Sequence, residues 1–117
     1  FERVASPEAA RRGYAAALSR WPASLVLAMG VGNSAHAAGD RPGAAAAFRD
    51  AAERHRDAAA LHNLAVVLDE LGDRAGALAA ARAAAAIDGP WREAARRTLG
   101  RLEAQGAGHP VESRPSR

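Results

Sequence analysis

The side chains with chemical capacity in this chain are few, and they are of the kind that holds a ligand rather than transforms one. Asn33 and Asn63 each offer a donor and an acceptor, the two functions a peptide backbone requires of a partner. His36 and His62 carry imidazoles, able to donate or accept a hydrogen bond in a polar lining. Arg92, Arg96 or Arg97 could supply a guanidinium fork suited to a carboxylate. The histidines His36, His55, His62 and His109 lack a metal-ligand spacing, such as two His four apart beside a carboxylate, so no metal is expected. Cysteine is absent, which removes disulfides, thiolate metal ligands and a cysteine nucleophile from this segment. No acid–base pair, no nucleophile beside a base and no phosphate-cradling loop appears. Gly30-Val31-Gly32 is a glycine pair inside a helical pattern, where close packing accounts for it better than a cofactor. Neither catalysis nor a cofactor is expected of this segment.

Other features point away from nucleic acid and membranes. Trp21, Trp91 and Tyr14 are capable of stacking on bases, but each lies at or near the end of a predicted helix, where an aromatic plugs the gap between elements. The formal charge is only +3, and most arginines lie among Asp and Glu, so the arginine-rich last helix reads as a solvated face. No apolar run approaches the ~20 residues that span a bilayer.

The elements that must position these residues follow from composition and punctuation. At 117 residues the chain suits one compact unit, and its apolar half is dominated by alanine, the best helix former and the smallest helix-compatible side chain. An all-α fold is predicted. Lysine is absent, so Arg supplies every guanidinium or ammonium charge; together with the Ala, Gly and Pro usage this suggests a high-GC bacterium, with cytoplasm and periplasm equally open. The opening Phe1-Glu2-Arg3-Val4 has neither the basic start nor the apolar stretch of a secretory signal, and it reads as a piece cut from something longer.

Ser6 before Pro7 predicts a helix over 7–20. Helices follow over 23–38, closed by Gly39, over 42–55 with Pro42 in the first turn, and over 58–71 with Leu61, Leu64, Leu68 and Leu71 on one stripe. A fifth runs over 75–88 to Gly89-Pro90, and a sixth over 91–105 with Ala95, Leu99 and Leu102 on one side. Residues 106–117, rich in Gly, Pro, Ser and charge, are expected to form a disordered tail.

Two of these blocks repeat. Gly39-Asp40-Arg41-Pro42-Gly43-Ala44 recurs, at a 33-residue offset, as Gly72-Asp73-Arg74-Ala75-Gly76-Ala77. A period of this length marks arrays of paired helices in which each unit buries its apolar face only against its neighbours.

In register, the pattern resembles the tetratricopeptide repeat, a helix pair of about 34 residues. Leu61, Leu64, Ala65, Leu68, Gly72, Ala77, Ala81, Ala84 and Gly89-Pro90 occupy that family's motif positions in the second repeat. Ala28, Val31, Gly32, Ala35, Gly39, Ala44, Phe48 and Ala51 occupy them in the first. Ala81 departs from the aromatic usual at its site, and the first helix of repeat one carries small residues where bulk is expected.

The resemblance implies a right-handed α-α superhelix within residues 1–105: a leading half-repeat (6–22), two full repeats (24–57 and 58–90) and a capping helix (91–105). It further implies protein or peptide binding in a concave groove lined by the first helix of each pair. The groove positions would be Val26, Met29, Asn33, His36 and Ala37, then Ala59, His62, Asn63, Val66, Asp69 and Glu70, with Arg92 and Arg96 or Arg97 supplying charge. Members that grip a C-terminal carboxylate carry Asn where Asn33 and Asn63 stand, and a Lys where this chain has Met29.

Two alternatives accompany this expectation. Ala17-Leu18-Ser19-Arg20-Trp21-Pro22, with Gly30-Val31-Gly32-Asn33 and Gly39-Asp40, resembles the repeat tail of certain bacterial peptidase-like proteins, which implies an accessory domain that positions substrate for an upstream catalytic domain. The other is self-association into a homo-oligomer through the exposed N-terminal edge.

Overall fold

Each of the first five helices begins where a short polar side chain can replace a hydrogen bond that the first turn lacks. The structure is a computed structural model that describes residues 6–113, with side chains described through residue 106. It contains six helices: α1 (Pro7–Arg20), α2 (Leu25–Ala37), α3 (Arg41–His55), α4 (Ala58–Glu70), α5 (Arg74–Ala86) and α6 (Arg92–Ser113). No strand occurs among the described residues. Ser6, Ser24, Asp40, Asp57 and Asp73 each accept a hydrogen bond from the backbone N–H three residues on, satisfying a donor with no intrahelical partner.

The repeated Gly-Asp pair performs two tasks in sequence. Gly39 and Gly72 adopt φ of 86° and 85°, a conformation only glycine takes at little cost. The turn they make lets Asp40 N–H reach the Ala35 carbonyl at 2.9 Å and Asp73 N–H reach the Leu68 carbonyl at 2.8 Å, closing α2 and α4. The same two aspartates then cap α3 and α5. Caps fall at the same 33-residue offset throughout, Ser24 with Asp57 and Asp40 with Asp73, so the repetition in sequence is a repetition of local structure.

Consecutive helices pack each on the next, and α4 also touches α6. The result is elongated, 55 × 33 × 24 Å. The core is built largely of alanines, with Phe48 and Leu102 its largest fully buried side chains. It lies between α2 and α6, and α1 buries no residue completely.

Three boundaries differ from the sequence expectation by two residues or more. Ser24 caps α2, which therefore starts at Leu25 rather than at residue 23. The fifth helix closes at Ala86, before Ile87, Asp88 and the Gly89-Pro90 turn, because Ile87 is already extended (φ −89°, ψ 123°). The last helix continues past Gln105 to Ser113, through part of the segment expected to be a disordered tail. Extending a nucleated helix adds one hydrogen bond per residue fixed, so weak formers can be carried along. Residues 114–117 of that expectation lie outside the described residues.

Candidate functional site

Two helices at equivalent places in the repeat, α2 and α4, present their polar faces side by side. Along α2, Asn33 and His36 stand three residues apart and share a face; along α4, Asn63 and Val66 do the same. Together with Val67 and the ring of Phe48 from α3 they line a small recess of 120 Å³. Asn33 is exposed, whereas Asn63 and Val66 are half-buried.

The recess is bordered by charged and polar ties between elements. At one end the Glu70 carboxylate accepts from His36 Nε2 at 2.7 Å and from Arg41 Nε at 3.1 Å, joining α2, α3 and α4. The His36 hydrogen bond, aided by the charges of His36 and Arg41, holds the Glu70 carboxyl below its ordinary range. On the α6 side, His62 Nε2 lies 2.8 Å from Thr98 Oγ1, and its ring rests 5.4 Å from that of Trp91 at a tilt of 39°. Arg101 Nη1 reaches Asp69 Oδ2 at 3.2 Å. Burial lowers the pKa of His62, and the nearby charges of Arg101 and Arg97 push the same way while Asn63 opposes them. His62 is therefore biased toward the neutral form, and its buried Nδ1 has no hydrogen-bond partner among the described residues.

Of the residues singled out from sequence, Asn33, His36, Asn63 and Val66 come together in the recess, and His62 and Asp69 stand beside it on α4. Three others are placed elsewhere. Met29 is half-buried and packs against the core, because its long apolar side chain fills space that the alanines around it leave. Arg92 donates to the carbonyls of Ala85 at 3.1 Å and Ala86 at 3.4 Å, and it pairs with Asp88 at 3.5 Å. Its charge thus satisfies the C-terminus of α5. Arg96 is exposed and lies two residues from Thr98, about 200° around α6, so it points away from α4.

The arginines that do approach α4 are Arg97 and Arg101. Arg101 follows Thr98 by three residues and so shares its face, a spacing visible in the sequence once Thr98 is known to meet His62. Arg41 had no such signal, because its approach to Glu70 depends on how the α2–α3 turn is set. The glycine pair has a packing role: a Cβ at Gly30 would run into the Tyr14 ring, and one at Gly32 would lie 2.5 Å from Phe48 Cε1.

Chemically, the recess offers amides and an imidazole to a ligand, next to a carboxylate already engaged by two basic groups. Among the described residues no three His, Cys, Asp or Glu side chains converge as metal ligands, and no helix is long and apolar enough to cross a membrane. No family model matches this sequence, and none of the curated proteins matches it significantly.

Proposed function

We propose that this segment is a tetratricopeptide-type scaffold, a right-handed α-α superhelix that binds an extended protein or peptide segment in a concave groove lined by α2, α4 and α6. One observation carries the reading: Asn33 and Asn63, on helices one repeat period apart, open into one recess with His36 and Val66. Two carboxamides on adjacent helices can pair with the N–H and C=O groups of an extended chain without reading its side chains. Such a chain has no internal backbone pairing, so its amides need partners of this kind.

The groove recognises backbone rather than a chain terminus. Met29 is committed to packing, Arg92 to the end of α5 and Arg101 to Asp69, and Arg97 lies 4.0 Å from Glu93, so the basic groups nearest the groove are already engaged. An NMR titration with a pool of short peptides, run with free and with amidated C-termini, tests this. Equal shifts from both pools at Asn33, His36, Asn63 and Val66 are expected. Shifts confined to other faces, or none at Asn33 and Asn63, would refute groove binding; a strong preference for free termini would refute backbone recognition.

A second reading, self-association, draws on the N-terminal edge, where Trp21 is 57% and Val26 is 76% exposed. Light scattering that stays monomeric up to high concentration removes it.

A further inference from the structure

The face of α4 opposite Asn63 and Val66 forms the floor of a second, larger depression. Leu61, Leu64 and Leu68 recur at three- and four-residue spacing about half a turn from the Asn63 stripe. The helices α3 and α5 flank this stripe as walls, and the trough between them has a volume of 790 Å³. It stays open because α5 contributes only small side chains along its length. Ala79, Ala83 and Ala86 are exposed there and too short to reach across to α3, while Ile87 closes one end.

From this geometry we infer that the trough is a docking site for an amphipathic α-helix of a partner polypeptide, with an apolar stripe directed at Leu61 and Ile87 and acidic residues directed at Arg49 and Arg56. A helix is the form that fits the chemistry. The floor is apolar, and no strand edge among the described residues offers backbone pairing, so an extended segment would bury its own amides without partners. A helix satisfies its amides internally and lays its apolar face into such a groove. The wall from Gly76 to Ile87 spans about 16 Å at 1.5 Å per residue, or about three turns of the docked segment.

The charge preference comes from the α3 wall. Arg49 lies on α3 and Arg56 is its C-cap, in the left-handed conformation (φ 49°, ψ 43°); both are exposed and both line the trough. Among the described residues neither forms an ion pair, although Glu53 lies between them on the same wall. Two unpaired guanidinium forks along one wall of the trough suit carboxylates that flank the apolar stripe of a docked helix. This site stands on the opposite side of α4 from the Asn33–Asn63 recess and is independent of the function proposed for it.

The test uses the 117-residue chain and two synthetic 18-residue amphipathic helices with identical leucine stripes, one flanked by Glu and one by Lys. Methyl NMR should show shifts at Leu61, Ala83 and Ile87 with the Glu peptide, weakening as salt is raised. Arg49→Glu with Arg56→Glu should weaken that binding by about tenfold, and Ala83→Glu by at least as much; both variants alter exposed positions and should keep the wild-type thermal midpoint. Asn33→Ala should leave it unchanged. The inference is overturned if neither peptide shifts the trough methyls at millimolar concentration, if Glu and Lys peptides bind equally, or if shifts fall on the Asn33 face. It is also overturned if light scattering shows a dimer that Ala83→Glu abolishes, since a second copy would then be the occupant.

Discussion

The two helix pairs, α2–α3 and α4–α5, solve the same packing problem with bulk placed on opposite members. In the first pair the small residues Gly32 and Ala35 lie on α2 and the bulk is Phe48 on α3, buried to 2% exposure. In the second, the equivalent positions one period later reverse this: Ala65 and Leu68 on α4 meet Ala81 on α5, with Leu64 where the first pair has Val31. Interiors are packed to a fixed density, so volume added on one helix must be removed from the other. The repeat thus conserves backbone geometry and caps while exchanging where the volume sits. The exchange has an external consequence, because α5, relieved of bulk, becomes an alanine wall that leaves the trough open beside it.

Changes that disturb only one side of this exchange should cost most. Phe48→Ala removes the largest buried ring and should destabilise by about 3–5 kcal/mol in urea unfolding. Adding Ala35→Leu to that variant transplants the second pair's arrangement, with Leu68 as its model, and should recover part of the loss. If the two changes instead add independently, bulk is not exchanged between these positions.

The converse insertion, Ala81→Phe, places a ring where Leu64 and Leu68 already fill the space, and it should cost about 1–3 kcal/mol by the same measurement. Gly32→Ala should also destabilise, because Phe48 is enclosed and cannot yield. Gly30→Ala should cost less, since Tyr14 is 40% exposed and can swing outward, and alanine regains about 1 kcal/mol of helix propensity. Equal losses at the two glycines would show that the Tyr14 contact is as rigid as the Phe48 one.

Smaller effects separate the two caps and their surroundings. Asp73→Ala should cost about 1 kcal/mol through loss of its bond to Gly76 N–H. Asp40→Ala should lower the thermal midpoint further, because Asp40 also binds Arg11 of α1 at 2.6 Å. The Asp40 carboxyl is held below its ordinary pKa by the Gly43 N–H first and by Arg11 second.

The smallest effect is electrostatic. Glu70 has a lowered folded pKa, so its contribution is present above the unfolded carboxylate value of about 4.3 and is lost as pH falls through the folded value. Glu70→Gln should therefore lie below wild type in thermal midpoint at neutral pH and converge with it in acid. His62 acts in the same direction from a higher pH. With its folded pKa lowered, the unfolded state binds more protons as pH drops below about 6.5, and stability declines from there. An NMR titration placing His62 at or above that value would remove this dependence.

Half of the candidate site was legible because helical periodicity fixes which residues of one element share a face. Asn33 with His36 and Asn63 with Val66 follow from three-residue spacing alone, and their meeting follows from the repeat period. Arg92 shows where that reasoning stops. Nothing in the sequence distinguishes an arginine that reaches a groove from one that turns back onto the carbonyls of Ala85 and Ala86, since both lie within the reach of its side chain. Met29 was misplaced for a related reason: in an alanine-rich core any long apolar side chain is drawn inward to fill volume.

The amino-acid sequence by itself determined the all-helical content, the Ser6 cap and the repetition of the Gly-Asp turn, because propensity, capping and turn chemistry act within a few residues. Tertiary structure alone decided that Glu70 gathers His36 and Arg41, that Arg92 turns back onto α5, and that α3 and α5 stand apart over Leu61. These depend on distances between elements, which are set by the sum of side-chain volumes across an interface and not by any local signal.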